Sequence, residues 1–129
     1  MQKRKEFSIV IPNKPGTLAD IAASLARAKV NILAVDATGG FEYNIVRLVP
    51  DKATKARAIL ERKGLDVGEA TVLCLTVTEQ IGTLAEVAGK LSRAKVNIDY
   101  LYGSNGPAGS HSLLVIHPSD VKKAMKILG

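Results

Sequence analysis

A passage of eighteen residues occurs twice in this chain, and its two copies lie 66 positions apart. Residues 15–32 read PGTLADIAASLARAKVNI, and residues 81–98 read IGTLAEVAGKLSRAKVNI. Twelve of the eighteen positions are identical, which indicates two copies of one structural unit. Where the copies agree, the shared fold is the best explanation; where they differ, function is the better one.

The repeat predicts two domains, at residues 1–70 and 71–129. A unit of about 60 residues lies near the lower limit for a self-sufficient hydrophobic core. We therefore expect the two units to pack together. Hydrophobic residues make up 47% of the chain, which favours a folded globular protein over a disordered one.

The first half shows strand, helix, strand, strand and helix patterns in that order. Leu18, Ile21, Ala22 and Leu25 recur at the spacing of one helix face, which predicts a helix at 17–28. A second helix is predicted after the Pro-Asp break that ends the third strand. The predicted strands are 7–11, 30–38, 41–49 and a short fourth one at 65–69.

The second half repeats this order as far as its last helix. Its predicted strands are 72–77, 96–102 and 110–117, and its predicted helices are 83–94 and 119–128. The glycine-rich turn at 103–109 is two residues longer than the matching turn of the first half. Since no strand pattern follows the last helix, the second unit lacks its last strand or takes one from elsewhere.

Both repeated helices begin with a threonine that is followed by an acid three residues later. Thr17 with Asp20, and Thr83 with Glu86, fit the capping box. In that motif a hydroxyl and a carboxylate bind free N–H groups at the start of a helix. We therefore expect both threonines to cap their helices.

The order βαββαβ predicts an α+β fold of two tandem ferredoxin-like units, each an antiparallel sheet with helices on one face. The strand sequences FSIVI, NIVRLV, VLCLTV and SLLVI are apolar at consecutive positions, whereas a sheet with one solvated face alternates. We therefore expect helices to cover one face and protein to cover the other. Pairing of the two halves and formation of a homodimer would provide that cover.

The composition disfavours several classes of function. The single cysteine, Cys74, lies in an apolar run and is predicted to be a buried strand thiol, so neither a disulfide nor a thiolate metal site is expected. His111 and His117 lack further ligands at metal spacing, and we predict no metal or other cofactor. No nucleophile–base pair emerges, so we predict no catalytic residue. The N-terminal apolar run is too short for a signal peptide or membrane span, which predicts a cytoplasmic protein.

The loop between the first strand and the first helix carries the strongest functional signal. Gly16 can adopt backbone angles that other residues avoid, and it allows a ligand to approach the main chain. The helix that follows presents free N–H groups suited to a carboxylate. Asn13 and Asn31 add amides that both donate and accept, and Asp36 can meet an ammonium. An α-amino acid offers the matching carboxylate and ammonium.

The motif N-K-P-G-T-L at 13–18, with V-N-I at 30–32 in a βαββαβ order, resembles the ACT domain. The second half keeps Gly-Thr-Leu at 82–84 and V-N-I at 96–98, but Glu79 and Ile81 replace the asparagine and the proline. The resemblance covers nearly the whole chain. It implies a non-catalytic regulatory protein that binds an amino acid between paired domains, similar to stand-alone tandem ACT proteins.

Residue roles follow from the same resemblance. In the serine-sensing phosphoglycerate dehydrogenases of this family, equivalent asparagines hold the effector, which implies that role for Asn13 and Asn31. The changes at 79 and 81 predict one ligand-competent loop and one structural loop. The predicted ligand-binding residues are Ile11, Asn13, Lys14, Pro15, Gly16, Thr17, Leu18, Asn31, Asp36, Gly82 and Asn97.

Two other functions stay open at this point. The chain could be a regulatory or dimerisation subunit of an amino-acid biosynthetic enzyme, without a ligand of its own. The RNA-binding RRM also has βαββαβ order and stacks bases on aromatic residues, and Phe41 and Tyr43 faintly echo that pattern. The net charge of +6 fits a nucleic-acid partner, but the cations are dispersed and aromatic residues are only 4% of the chain, so we regard RNA binding as the weaker alternative.

Overall fold

The computed structural model describes residues 1–104 and 106–129, which form six strands and four helices. The glycine-rich turn at 103–109 includes Asn105, which lies outside the described residues. None of the described helices is long and apolar enough to span a membrane. The elements are β1 (Gln2–Pro12), α1 (Thr17–Arg27), β2 (Ile32–Gly39), β3 (Tyr43–Pro50), α2 (Ala53–Arg62), β4 (Gly68–Thr78), α3 (Thr83–Arg93), β5 (Ile98–Gly103), β6 (His111–Pro118) and α4 (Val121–Leu128).

The chain forms two compact units, and two strands contribute residues to both. Lys5–Ala70 is the N-terminal unit, and Thr71–Gly129 together with Met1–Arg4 is the C-terminal unit. Strand β1 therefore begins in the C-terminal unit, and β4 begins in the N-terminal unit. The short fourth strand predicted at 65–69 is wrong as an independent element, because a single strand, β4, runs on from Gly68 to Thr78.

The N-terminal unit has the strand order β2-β3-β1-β4, to which β4 contributes residues 68–70. Its pairs β1–β3 and β2–β3 are antiparallel. Both helices pack on the same face of the sheet, because their apolar stripes and one set of alternate strand residues form a single cluster. The buried members of this core are Phe7, Ile9, Ile11, Ile21, Leu25, Val30, Val46, Leu48, Ala56 and Leu60.

The C-terminal unit has the equivalent order β5-β6-β4-β1, and residues 2–4 of β1 occupy the place of its fourth strand. Met1 lies against the end of α4, since a methyl group added at Gly129 would be 3.3 Å from the Met1 side chain. The buried core comprises Leu73, Val87, Leu91, Val96, Leu114, Ile116 and Ala124. The predicted fold class, two tandem ferredoxin-like units of α+β type, is confirmed, and 71–129 alone lacks the last strand.

The helix starts differ from the predicted capping box. Gly16 and Gly82 occupy the cap positions in left-handed conformations, with φ of 93° and 92°, and no side chain caps either helix among the described residues. Thr17 and Thr83 therefore lie one position inside their helices. The Thr17 hydroxyl donates backwards, to the carbonyl oxygens of Pro12 at 2.8 Å and Lys14 at 3.1 Å. The capping-box prediction is wrong because glycine occupies the cap position and the threonine hydroxyl donates to carbonyl groups of the loop instead.

Exposure on the sheet face opposite the helices differs between the units. In the N-terminal unit, Val10, Tyr43 and Ile45 are 55%, 57% and 43% exposed. Val10 pairs directly with Ile45, so these side chains form one apolar patch. In the C-terminal unit, Cys74 and Val115 pair on the equivalent face and are both buried. Cys74 is outside any disulfide.

Candidate functional site

The first loop, residues 12–17, is tied to the turn between β2 and β3 by Asn13. Its main-chain N–H donates to the Glu42 carbonyl at 2.7 Å. Its side-chain Nδ2 donates to the Gly40 carbonyl at 2.9 Å, and its Oδ1 accepts from Nδ2 of Asn44 at 3.2 Å. Asn13 is nevertheless exposed to solvent. The side chain thus holds the loop against the turn while its edge stays accessible.

The start of α1 forms the other side of the first loop. The Thr17 N–H donates to the Lys14 carbonyl at 3.5 Å, and the Asp20 N–H donates to the Gly16 carbonyl at 2.9 Å. Since no side chain caps this helix among the described residues, the N–H groups of Leu18 and Ala19 stay available to an anion. Lys14, Pro15 and Gly16 are exposed, and Leu18 is 42% exposed, whereas Ile11 is 2% exposed and belongs to the core. A ligand at this loop could therefore contact the Lys14 ammonium group, free main-chain N–H groups and the exposed part of Leu18. Ile11 packs in the core beneath the loop.

Asn44 is a second asparagine of this site. It pairs with Ile11 on β1 and with Gly39 on β2, which places it beneath the turn. Its Oδ1 is buried and is the one such side-chain atom without a hydrogen-bond partner among the described residues. A methyl group at Gly39 would lie 2.8 Å from that oxygen, so Asn44 fits because Gly39 has no side chain. A buried acceptor of this kind calls for a donor such as water or a ligand.

The second loop, residues 78–83, has the same main-chain frame but different side chains. Glu79 stands 66 positions after Asn13, and its N–H donates to the Ser110 carbonyl at 2.6 Å. Its carboxylate Oε2 accepts from the Ser112 hydroxyl at 2.7 Å. Glu79 is 9% exposed and Ser112 is 3% exposed. Gly82 makes the turn at which α3 begins.

Asn31 and Asn97 precede the second strand of each unit. The Asn31 N–H donates to Asp51 Oδ1 at 2.9 Å, and its carbonyl accepts from the Asp51 N–H at 3.0 Å. Asn97 exchanges the equivalent bonds with Ser119, at 2.9 and 2.8 Å. Both asparagines are exposed. Their main chains join two elements, and the Asn31 side-chain amide faces solvent.

Asn13 and Asn31 do not meet within the N-terminal unit. Asn13 lies beside Gly39, at the end of β2, and Asn31 immediately precedes its start. A strand of this length spans roughly 25 Å. Asp36 lies between them on β2, where its Oδ2 is 3.6 Å from Arg47 Nη1 and accepts from the Thr38 hydroxyl at 3.2 Å. One unit therefore does not assemble the predicted residues into a single site.

The Asn97 side chain has a hydrogen-bond partner, whereas the equivalent Asn31 side chain has none in the part of the chain that the structure describes. Its Nδ2 donates to Asp99 Oδ1 at 3.0 Å, and Asp99 Oδ2 is 3.2 Å from His117 Nδ1. The His117 ring stacks on Tyr100 with centroids 4.7 Å apart. The pairing of β5 with β6 shifts register between Ile98 and Tyr100, so Asp99 occupies a β-bulge, which redirects its side chain. The equivalent bulge of β2 carries Leu33.

Each unit thus has the βαββαβ order and a first helix that begins at a glycine, and the family comparison agrees with this architecture. A family model described as the ACT domain pair matches residues 3–128. The chain belongs to the ACT domain pair family. The resemblance inferred from the motifs at 13–18 and 82–84 is thereby confirmed.

Solved structures share the fold of this ACT domain pair. Protein BT0572 from Bacteroides thetaiotaomicron is 28% identical with a TM-score of 0.88, over 98% of this chain and 86% of that one. The regulatory subunit of aspartate kinase from Thermus thermophilus, in a ligand-free form, is 12% identical with a TM-score of 0.72, over 99% and 95% of the two chains. The corresponding subunit from Thermus flavus is 15% identical with a TM-score of 0.65, over 99% and 91%. A comparison with curated proteins found no match.

Three residues that hold the two candidate loops in place were missed by sequence reasoning: Asn44, Glu79 in its buried role, and Ser112. An alignment of the two repeats identifies these positions. The longer second turn shifts the offset to 68, which makes Ser112 the equivalent of Asn44. The registers agree, because Asn44 pairs with Ile11 and Ser112 pairs with Val77. Asparagine at both first-unit positions becomes glutamate and serine in the second unit.

The aromatic and histidine pairs do not form sites of their own. Phe41 lies in the turn before β3 and is fully exposed, so it does not share a strand face with Tyr43 as RRM-like stacking requires. His111 and His117 share one side of β6 but are six residues apart, roughly 20 Å along the strand. Within the described residues, no three histidine, cysteine or acidic side chains converge as a metal site would require.

Proposed function

We propose that this ACT domain pair is a non-catalytic regulatory protein that binds an amino acid at the first loop. The uncapped start of α1, beside the amides of Asn13 and Asn44, carries the proposal. The N–H groups of the first turn suit the ligand carboxylate, since a helix start concentrates free donors and positive potential. Exposed Lys14 adds a positive charge at the same place. Gly16 leaves the approach to the main chain open.

A second copy of the chain would complete this site. Strand β2 is the edge of the N-terminal sheet, and Val35, Ala37 and Thr38 along it are exposed. An uncovered edge strand is a template for pairing with another chain. If two β2 edges pair antiparallel in a homodimer, the start of each strand lies beside the end of the other. That arrangement brings Asn31 of one copy to the first loop of its partner.

The ligand ammonium needs acceptors at the same place. The exposed side-chain oxygen of Asn31 is a neutral acceptor, whereas Asn44 Oδ1 is buried beneath the turn. Asp36, three residues before Gly39, supplies a carboxylate, although Arg47 and Thr38 already share its Oδ2. We therefore assign the ammonium to the Asn31 oxygen first and to Asp36 second. In the second unit, Gly82 and Asn97 hold the equivalent positions, but the Asn97 amide already donates to Asp99, so we do not place it in the ligand site.

Calorimetry with each of the twenty amino acids tests the proposal directly. We expect at least one to bind more tightly than millimolar, and Asn13→Ala or Asn31→Ala to weaken it about 10-fold to 100-fold, as loss of one hydrogen bond to a charged group does. Asn97→Ala is the matched control and should leave the affinity unchanged. Folded wild-type protein that binds none of the twenty would refute amino-acid binding.

Mixing two variants tests whether the site is shared between copies. Asn13→Ala and Asn31→Ala proteins each lack one half of every site. If Asn13 and Asn31 come from different copies, random re-association of the two variants restores about a quarter of the sites. If both came from one copy, no intact site would form. Analytical ultracentrifugation of the wild type should show a dimer, and a monomer at all concentrations would exclude the shared site.

A catalytic partner is a second part of the proposal. In Thermus thermophilus, a chain of this fold is the regulatory subunit of aspartate kinase, and the present chain spans 95% of it. A binding-induced shift in how two copies pair would be the signal that such an enzyme reads. If the chain instead co-purified stoichiometrically with a catalytic chain and bound none of the twenty amino acids, a ligand-free dimerisation subunit would be the correct description.

A further inference from the structure

The second loop contains a buried carboxylate where the first loop has an amide. Glu79 and Asn13 stand at the same place in the repeat, three residues before the glycine that starts the helix. In both loops this side chain bonds to the same strand position, which is Asn44 in the first unit and Ser112 in the second. The frame is the same, but the second loop carries a negative charge and the first does not.

The surroundings of Glu79 fix that carboxylate in place. Its N–H and C=O bond to the main chain of Ser110 and Gly109, at 2.6 and 2.7 Å. Ser112, which donates to the carboxylate, also accepts from the Gly106 N–H at 3.4 Å. These contacts bury Glu79 against the end of the turn between β5 and β6. The carboxylate is therefore a fixed part of the second loop, without freedom to turn away from an incoming ligand.

We propose that Glu79, held by Ser112, excludes ligand carboxylates from the second loop, so that each chain has one effector site, at the first loop. The inference rests on the proposed function. Two carboxylates near one helix start repel each other, and the effect is strong where water is partly excluded. The neutral Asn13–Asn44 pair imposes no such repulsion on a ligand at α1. We expect at least a tenfold preference of an anion for the first loop.

Amide chemical shifts in ¹⁵N NMR locate a bound anion at individual N–H groups, whatever the identity of the effector. Sulfate is the first probe, and the twenty amino acids are the second. The reporters are the N–H groups of Gly16, Leu18 and Ala19 in the first unit and of Gly82, Leu84 and Ala85 in the second. In the wild type we expect both sulfate and the binding amino acid to shift only the first set, with calorimetry giving one site per chain.

The decisive variant carries Glu79→Asn with Ser112→Asn, which rebuilds the pair of the first loop. We expect sulfate to shift the second set of amides in this variant, and the number of sites to rise from one to two per chain. Glu86→Gln is the control, because it removes a charge from the first turn of α3 at a place where the first unit also has an acid, Asp20. If the double variant does not fold, Glu79→Gln preserves the shape and tests the charge alone.

The outcomes separate this inference from the proposed function. If the second set responds to sulfate as strongly as the first in the wild type, or stays silent in the folded variants, Glu79 does not exclude anions. If sulfate shifts neither set of amides in any of the proteins, Glu79 likewise does not exclude anions. If sulfate shifts the first set but none of the twenty amino acids does, the amino-acid function fails while the role of Glu79 stands.

Discussion

The first loop closes with an amide bonded to an amide, and the second loop closes with a carboxylate bonded to a hydroxyl. The main-chain bonds are equivalent: Asn13 donates to Glu42 at 2.7 Å, and Glu79 donates to Ser110 at 2.6 Å. The frame is therefore required by the fold, and the side chains within it are free to diverge. Both members of the side-chain contact differ between the loops, while the main-chain bonds stay the same. The repeat therefore distinguishes residues needed for the fold from residues that can differ in function.

The two β-bulges extend this comparison to the opposite end of each sheet. The bulge of β2 carries Leu33, and the bulge of β5 carries Asp99, which contacts both Asn97 and His117. The Asn97 amide thus has a hydrogen-bond partner in its own unit, whereas the Asn31 side-chain amide has none among the described residues. The Glu79 and Asn97 side chains are thus both hydrogen-bonded within the second unit. In the first unit, Asn44 Oδ1 has no hydrogen-bond partner among the described residues, and Asn31 is exposed.

The largest expected effect tests whether the two cores are equivalent. Leu25 and Leu91 stand 66 positions apart, and both are 0% exposed. We expect Leu25→Ala and Leu91→Ala each to lower the free energy of unfolding by about 2–5 kcal/mol, through lost burial and the cavity left behind. Urea denaturation followed by circular dichroism measures both. A cost below about 1 kcal/mol for either would show that its core relaxes around the cavity and that the equivalence fails.

The paired cores could be predicted from sequence, but the exchanged strand ends could not. Apolar spacing identifies α1 and α3 because each buries one stripe of a 3.6-residue helix. Residues 2–6, QKRKE, are polar, and nothing in their pattern indicates a strand. They are strand because β4 offers them free backbone partners, and that contact joins residues far apart in sequence. The Asn13–Asn44 bond was missed for the same reason, since it depends on the strand register.

Removal of residues 2–4 tests how the C-terminal unit obtains its fourth strand. Deletion takes away backbone hydrogen bonds along β4, each with a net contribution near 1 kcal/mol, so we expect a loss of about 2 kcal/mol. Hydrogen exchange should show weaker protection at 72–77, with protection at Ile9 and Val46 retained. Gly68→Pro is the matched change in the fourth strand of the N-terminal unit, and it should give the reverse pattern. Equal loss in both units from either change would show that they unfold as one.

Two lysines in strained conformations give a smaller effect of opposite sign. Lys29 and Lys95 both have φ of 60°, at the ends of α1 and α3. A side chain in this left-handed region costs about 1–2 kcal/mol, part of which the greater chain entropy of glycine offsets. We expect Lys29→Gly and Lys95→Gly each to raise the free energy of unfolding by about 0.5–1 kcal/mol. Lys29→Ala and Lys95→Ala retain the Cβ and should bring no gain; a gain from alanine would assign the effect to charge.

The smallest expected effect is a pH dependence confined to the N-terminal unit. A hydrogen bond from Lys63, at 2.7 Å, and the charge of that lysine hold the pKa of Asp20 below its ordinary value of 3.8. Because the pKa is lower in the folded state, ionised Asp20 stabilises that state above about pH 4, and the contribution is lost as the pH falls through the folded pKa. We expect Asp20→Asn to flatten the fall in stability between about pH 5 and pH 3.

Lys63→Met separates this pairing from other acid effects, since it removes the partner and leaves the carboxylate. Denaturation at several pH values should show the same flattening in Lys63→Met as in Asp20→Asn, and no further flattening when the two changes are combined. The effect is small because Asp20 is exposed and water screens the pair. If Asp20→Asn left the acid limb unchanged, the contact with Lys63 would contribute nothing to stability. The difference between the two units would then rest on their loops and bulges alone.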